Sequence, residues 1–433
     1  MVTAVRRWRL RHRCVAFAAL GVALFVALPG CGASSPAPSQ GAAPRIADVG
    51  QLLARHARAV RARSARDYLA DVDPSAAAAP FRAQESGDIA NLAQVPLARW
   101  SYLIDSTVHD PAVLAASRRR FGTTTLILQV TLSYALRYVD PQPSKHALWL
   151  TFVRRHGRTY LATDDDLATV GSPSWAGAWR FGPLAAARGD STLALGPQRE
   201  RARLPALAAA VDAAVPAVTA VWGRNWSRRV AVILSASPQE FAALTRAGTA
   251  IGDESAAAVT DGVDAAGQPY GQRLVLAPGA LAELSTVGLG IVLRHEITHL
   301  ATAASTAQPT PRWLVEGFAD YVGNLSSGQS VAAAAPELRA VVIAGRVPQQ
   351  LPSDIAFTAS GSALARAYEL SWLGCRLIAA KAGQAALVRF YRAVGTATSS
   401  SSEAIATALH AVLHESLATF TSQWRAYLKS ELS

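Results

Sequence analysis

Apolar positions recur at two different spacings in the first half of the chain. Between residues 46 and 71, Leu52, Leu53, Val60 and Leu69 recur near helical spacing and predict one amphipathic helix. Farther on, apolar and polar positions alternate with a period of two, among many Thr, Val and Tyr residues. The strands predicted from this alternation are residues 99–105, 123–140, 146–154 and 159–163. The first folded unit is therefore predicted to be a long helix followed by a curved antiparallel sheet.

The second half of the chain changes from short strands to nearly continuous helix. Its predicted strands are residues 193–195, Val230–Leu234 and Arg273–Leu276, and its first predicted helices are Leu204–Trp222 and Pro238–Thr245. From Leu281 onward the pattern is mostly helical. A chain of 433 residues is too long for one compact core. We therefore expect an α+β fold with two domains, residues 46–170 and residues 171–433.

The first of these domains resembles a known architecture at the level of its pattern. A long helix followed by a curved meander is similar to the nuclear transport factor 2-like cone. The resemblance implies a scaffold that holds a ligand pocket in some proteins and only supports other domains in others.

The first residues have the composition of an export signal. Five arginines precede an apolar run at residues 15–28, which is short for a membrane span but suits a signal peptide. The run ends in Leu-Pro-Gly-Cys31, which resembles the lipobox of bacterial lipoproteins. Residues 1–31 are thus predicted to be a lipoprotein signal, and residues 32–45, rich in Ser, Pro, Ala and Gly, a flexible tether.

The resemblance to a lipobox implies a lipid on Cys31 and anchoring to the outer face of the bacterial cell membrane. An uncleaved anchor and cleavage by ordinary signal peptidase remain alternatives. If the signal is removed and Cys31 carries a lipid, Cys375 is the one remaining thiol, so no internal disulfide is expected. We expect Cys375, in an apolar helical stretch, to be a packed thiol.

The net charge of +12 includes the five arginines of the signal. The remaining mild excess suits a protein near anionic lipid or cell-wall polymer. The sequence has no basic run interleaved with aromatic residues and no nucleic-acid motif. We therefore expect no nucleic-acid partner.

One short segment has the spacing of a metal site. His295, Glu296 and His299 form the pattern H-E-x-x-H inside an apolar stretch. On a helix, positions four apart share one face, so both imidazoles can reach one ion. Glu296 lies beside them, where it can accept a proton from a metal-bound water. Leu293 and its apolar neighbours would bury the opposite side of this helix.

A second helix is predicted shortly after the first. The sequence from Thr310 reads Thr-Pro-Arg-Trp-Leu-Val-Glu-Gly-Phe-Ala-Asp-Tyr, with Thr310 as a suitable N-cap and Pro311 as a suitable first helical residue. Glu316 and Asp320 are four apart and share one face of this helix. A histidine bound to zinc must also donate its other ring nitrogen to a partner. The two helices together thus offer further acidic groups near the histidine pair.

These two segments together resemble the gluzincins, the thermolysin-like clan of zinc metallopeptidases, and most closely the peptidase MA-like family. The resemblance implies that His295, His299 and Glu316 bind Zn²⁺ and that Glu296 is the catalytic base. It implies that Asp320 orients a ligand histidine, His295 by preference.

The same resemblance extends to residues outside the two short segments. It implies that Arg273–Leu276 is the edge strand against which a substrate backbone pairs. A downstream helix containing Tyr368 offers a candidate to stabilise the oxyanion, with a core tyrosine as the alternative reading; Tyr321 is a weaker candidate.

The sequence therefore predicts an extracytoplasmic, membrane-anchored zinc metallopeptidase that acts on a peptide or protein substrate. Two alternatives remain open. The first is an envelope ligand-binding lipoprotein whose zinc domain is not catalytic. The second is a zinc hydrolase of a non-peptide amide in the cell wall.

Other histidines receive a structural interpretation. His410 and His414 are four apart, but no glutamate follows the first of them, so we do not expect a second metal site. The four scattered histidines, expected at the surface or in turns, are His56, His109, His146 and His156.

Overall fold

A computed structural model describes residues 42–245, 255–307 and 310–433. The predicted signal and the lipid-bearing Cys31 lie outside the described residues, as does all but the end of the predicted tether. Within the described part, helices and strands follow one another in an order that matches an α+β fold.

The α-helices, in chain order, are Ile46–Ala62 (α1), Ala65–Ala70 (α2), Ala79–Asn91 (α3), Pro111–Phe121 (α4), Leu204–Trp222 (α5), Pro238–Thr245 (α6), Ala280–Glu283 (α7), Thr286–Thr302 (α8), Arg312–Asn324 (α9), Val331–Ala334 (α10), Pro336–Ile343 (α11), Gly361–Ala382 (α12), Gln384–Gly395 (α13), Ser401–Leu413 (α14) and Leu417–Leu432 (α15). The β-strands are Leu97–Thr107 (β1), Thr125–Leu136 (β2), Ser144–Arg155 (β3), Arg158–Thr163 (β4), Leu184–Arg188 (β5), Thr192–Pro197 (β6), Val230–Leu234 (β7), Ala256–Val259 (β8), Gly262–Val263 (β9), Pro269–Tyr270 (β10) and Arg273–Leu276 (β11).

The predicted single N-terminal helix is wrong, because the chain turns between α1 and α2. Arg63 adopts a left-handed conformation with φ of 55° and ends α1. Ser64 then caps α2, since its side chain accepts a hydrogen bond from the backbone N–H of Asp67. A serine three residues before an acid is a helix-start signal, and it outweighed the continuing apolar spacing.

The predicted meander is confirmed as a four-stranded antiparallel sheet in the order β1-β2-β3-β4. The connection between β3 and β4 is a tight turn in which His156 and Gly157 both have positive φ, of 48° and 78°. Two helices of this unit were not predicted: α3 precedes the sheet, and α4 lies between β1 and β2, with Asp110 capping its N-terminus. The likeness to a nuclear transport factor 2-like cone stays a prediction.

The second sheet has the order β5-β6-β7-β11-β8. Its three central strands are parallel, and β5 and β8 are antiparallel to their neighbours. The expectation that Arg273–Leu276 is an edge strand is therefore wrong, because this strand lies between β7 and β8. The edge at this side of the sheet is Ala256–Val259.

Both faces of the second sheet are covered, which explains why β7 is buried along its whole length. Val230, Val232 and Leu234 pack with α5 and α8 on one face. Ala231 and Ile233 point to the other face, where they join the core of the first unit. The alternation of side chains along the strand thus places one residue set in each core.

Helix α5 is a core helix of this second unit. It is the one helix among the described residues that is long and apolar enough to cross a membrane by length and composition. Leu207, Val211 and Val218 are buried against the sheet and α8. Pro216 lies inside the helix without ending it.

Candidate metal centre

Helix α8 carries the histidine pair into the interior between the second sheet and α9. Ser285 caps its N-terminus by accepting a hydrogen bond from the Gly288 N–H at 3.1 Å. Leu293 and Ile297 are fully buried, as the sequence predicted for the apolar side of this helix. Burial of that side leaves His295 and His299 on the adjacent face, turned toward α9.

Helix α9 starts one residue later than predicted. Pro311 is the N-cap, with extended backbone, and the first helical residue is Arg312. Thr310 therefore does not cap the helix as expected, and the carboxylate of Asp354 instead accepts a hydrogen bond from the Arg312 N–H at 2.9 Å. The helix ends at Asn324.

Two glycines allow α9 to approach its neighbours closely. A Cβ on Gly317 would lie 2.3 Å from the backbone oxygen of Ser371 in α12. A Cβ on Gly323 would lie 3.0 Å from the backbone oxygen of Ile291 in α8. Close packing on both sides fixes the position of Glu316, which immediately precedes Gly317, relative to the histidines.

Three side-chain atoms converge between α8 and α9. Nε2 of His295 and Nε2 of His299 are 3.0 Å apart, and Oε2 of Glu316 lies 3.4 Å and 3.3 Å from them. In a tetrahedral zinc site, bonds of about 2.0–2.2 Å place ligand atoms about 3.3 Å from one another. The three residues thus have the donor types and the spacing that a zinc ion requires, and no other such group is found in the described part of the chain.

Asp320 lies directly behind the histidine pair. Its Oδ1 is 2.7 Å from Nδ1 of His295, which orients the ring so that Nε2 points at Glu316. This is the contact implied by the resemblance. The Nδ1 atom of His299 is buried without a hydrogen-bond partner among the described residues.

The electrostatic balance of this group favours a positive charge between the three atoms. Burial lowers the pKa of His295, but the carboxylates of Asp320 and Glu316 outweigh it and hold this pKa well above its ordinary value. Burial raises the pKa of Glu316, yet the two imidazoles hold it well below the usual range. A divalent cation supplies the same kind of charge and takes the place of the protons.

The proposed base and the candidate tyrosines occupy different positions around the group. Glu296 is buried on α8, next to His295. Tyr368 on α12 lies beside His295, with ring centroids 6.3 Å apart. Tyr321 is half-buried, and the charged groups nearest to it include Arg376. Of the two tyrosines, Tyr368 is thus the one in contact distance of the site.

Sequence reasoning missed a cation at the rim of this group. Nη2 of Arg312 lies 3.9 Å from Oε1 of Glu316, and its guanidinium stands 5.0 Å from the centroid of the Phe357 ring. Phe357 in turn contacts the edge of Tyr368, at 5.5 Å between centroids. The i, i+4 spacing of Arg312 and Glu316 was the available signal.

The remaining histidines and the thiol have mixed outcomes. His56 and His146 are buried, at 2% and 5% exposure, so the expectation that they lie at the surface is wrong. His410 is exposed and His414 is a left-handed helix cap, and they join no metal-type group among the described residues. Cys375 is a fully buried thiol, as expected, and burial raises its pKa well above the ordinary value.

Comparison with known proteins gives matches only among solved structures. No protein-family profile matches the chain, and no curated protein is significantly similar to it. Its structural neighbours include M1 zinc metallopeptidases. The M1 zinc metallopeptidase of Deinococcus radiodurans is 14% identical, with a TM-score of 0.32 over 78% of this chain and 61% of that one.

Two related structures give similar values. A mutant of the Deinococcus radiodurans enzyme bound to a Tyr-Ser-Ala substrate is 13% identical, with a TM-score of 0.35 over 78% of this chain and 62% of that one. A two-domain M1 zinc metallopeptidase bound to L-arginine is 16% identical, with a TM-score of 0.33 over 65% and 60%. The chain thus spans about three fifths of the length of these structures. At these scores the likeness is not evidence of a shared fold.

Proposed function

We propose that this protein is a zinc metallopeptidase that hydrolyses peptide bonds. The observation that carries the proposal is the convergence of His295, His299 and Glu316 at mutual distances of 3.0–3.4 Å. Two imidazoles and one carboxylate are a donor set typical of catalytic zinc, since three protein ligands leave one position open. The HExxH pattern adds Glu296 at the same site.

The roles of the side chains follow from their positions. A bound zinc ion would supply a Lewis acid for the scissile carbonyl and activate the attacking water. Glu296 accepts the proton of that water and passes it to the leaving amine. Asp320 holds His295 in the tautomer that presents Nε2 to the metal. Tyr368, beside His295, donates a hydrogen bond to the developing oxyanion.

The location of the enzyme is part of the same proposal. The signal-like residues 1–31 and the tether predicted after them support export and a lipid on Cys31. The catalytic unit would then act on peptides or proteins at the outer face of the cell membrane.

The experiment is a comparison of wild type and Glu296→Gln in hydrolysis of a peptide library, with zinc content measured on the same samples. We expect the rate to fall by a factor of about 100 or more, because a positioned general base contributes about 10²–10⁴-fold. Zinc content is expected to stay at the wild-type level. Glu403→Gln, the same change at an exposed position, is the control. Hydrolysis that survives in Glu296→Gln would refute the catalytic role.

A further inference from the structure

The first unit contains a partly open cavity that the metal centre does not use. It has a volume of about 50 Å³, room for a few water molecules or one small head group. Its walls come from α1 to α3, from strands of the first sheet and from the segment that leads into the second unit. That segment contributes Trp175, Trp179 and Arg180.

The cavity contains more negative than positive charge. Glu85, Asp88 and Asp164 line it, and Arg180 is the one cation in its wall. The guanidinium of Arg180 is shared among the three carboxylates: Nε lies 2.7 Å from Asp88, Nη1 3.0 Å from Asp164 and Nη2 3.8 Å from Glu85. One cation faces three acids, so a second positive charge is electrostatically favoured here.

Burial also raises the pKa of two of these acids. Burial raises the pKa of Glu85 to about 8, with a further increase from Asp88, although Arg180 and Tyr68 act against it. Burial raises the pKa of Asp88 to about 6, again against the effect of Arg180. A bound cation would relieve this penalty on both acids.

The buried imidazole of His56 adds a polar atom that has no hydrogen-bond partner among the described residues. His56 is 2% exposed and lines the cavity, with its ring stacked on Tyr68 at 3.8 Å between centroids. Its Nδ1 lies 3.3 Å from the hydroxyl of Tyr102, and its Nε2 has no hydrogen-bond partner among the described residues. Burial lowers the pKa of His56 to about 4, so the ring is neutral. In the tautomer whose Nδ1–H donates to the hydroxyl oxygen of Tyr102, Nε2 is able to accept a hydrogen bond from a ligand.

Aromatic rings supply the remaining walls. Trp100 and Trp179 approach each other with centroids 5.3 Å apart, and Trp175 lies 5.5 Å from Trp179. Aromatic rings attract cations through their negative faces, and cages of aromatic rings are used to bind quaternary ammonium ligands. The lining thus combines acceptors, excess negative charge and aromatic surface.

We propose that this cavity binds the ammonium head group of a small organic amine, next to Arg180. The carboxylates of Glu85 and Asp88 and Nε2 of His56 accept its N–H bonds, and the rings of the tryptophans enclose it. The rest of the ligand extends out through the mouth. This site is separate from the metal centre and does not depend on the proposed peptidase activity.

The test is a calorimetric titration of the full chain with n-butylammonium, and with butan-1-ol as a neutral probe of the same length. We expect a Kd of about 1 mM or tighter for the amine and no measurable binding of the alcohol. Asp88→Asn, which removes one negative charge, is expected to lower the affinity for the amine at least about tenfold. Asp190→Asn, the same change at an exposed position outside the cavity, is the control and should match wild type.

Other outcomes would overturn the proposal. These are failure of wild type to bind the amine, equal binding of the alcohol, or unchanged amine affinity in Asp88→Asn. If Asp88→Asn does not fold, His56→Phe serves as the second variant, since it keeps an aromatic ring and removes the acceptor. Glu296→Gln should bind the amine as wild type does, so failure of the peptidase proposal leaves this test unaffected.

Discussion

Asp320 shows how a single side chain outside the ligand set controls the metal centre. Its carboxylate lies 2.7 Å from Nδ1 of His295 and fixes which nitrogen faces Glu316. We predict that Asp320→Asn lowers zinc affinity by about 10–100-fold, the usual effect of losing such a partner. Competition with a chelator of known affinity measures it, with Asp190→Asn as the control. Unchanged affinity in Asp320→Asn would show that His295 is oriented by other contacts.

Glu240 illustrates the cost of a buried acid. It is 1% exposed, and burial raises its pKa to about 7, although the Ala236 N–H and Arg199 act against this. Because the pKa is higher in the folded than in the unfolded state, protonation of Glu240 favours the folded state. Its contribution to the free energy of unfolding is complete below pH of about 4.5, the pKa in the unfolded chain, and is lost as pH rises through about 7.

The variant Glu240→Gln should therefore lose less stability than wild type between pH 5 and pH 8. We expect the difference in this loss to be about 2–3 kcal/mol of unfolding free energy. Urea denaturation at the two pH values measures it. Parallel losses in the two proteins would show that Glu240 is ionised throughout this range.

Among the helices, α9 packs so closely against α12 that a larger residue at position 317 should destabilise the protein. The Cβ of an alanine at position 317 would meet the backbone of α12, and backbone cannot move aside as a side chain does. We predict that Gly317→Ala lowers the free energy of unfolding by about 1–3 kcal/mol.

Gly87 in α3 provides the matched control for this change. It lies on an exposed helical face, and nothing stands within 4 Å of its Cβ position. Gly87→Ala should stabilise the protein by about 0.5–1 kcal/mol, through helix propensity alone. If both variants shift the melting temperature in the same direction, the close approach at Gly317 is not what decides its effect.

The local sequence pattern predicted most helices and strands but not which strands pair with each other. The histidine pair and the two acids were found because i, i+4 spacing is a property of one helix. The helix break at Arg63 was missed because the left-handed conformation of one residue ends α1 while the apolar spacing continues. The N-cap at Pro311 was missed because the conformation of that one residue decides where α9 begins. The position of β11 inside the sheet depends on pairing with β7 and β8, which no local pattern records.

At the scale of the whole molecule, the two predicted domains share one core. Trp100 and Tyr134 of the first sheet pack with Ile233 and Val275 of the second. Arg273 in the second sheet also makes a buried ion pair with Asp140 after β2, at 2.6 Å. The domain boundary near residue 170 therefore stays a prediction from sequence. Because the two units pack together, the boundary can be tested by asking whether the second unit folds alone.

We predict that residues 171–433 expressed alone do not form a stable monomer. Without the first unit, one apolar face of the second sheet faces water, which favours aggregation. Light scattering and thermal melting of the fragment, beside the full chain, measure this. A monomeric fragment with a cooperative melting transition would establish the second domain as an independent folding unit.

We propose that His295, His299 and Glu316 together hold one zinc ion. The most direct test is the zinc content of wild type, Glu316→Ala and the control Glu403→Ala, purified without chelators and resupplied with zinc. We predict about one zinc per chain in wild type and the control, and loss of zinc in Glu316→Ala, because two histidines alone bind the ion too weakly. Absence of zinc from wild type, or equal zinc in Glu316→Ala, would contradict it.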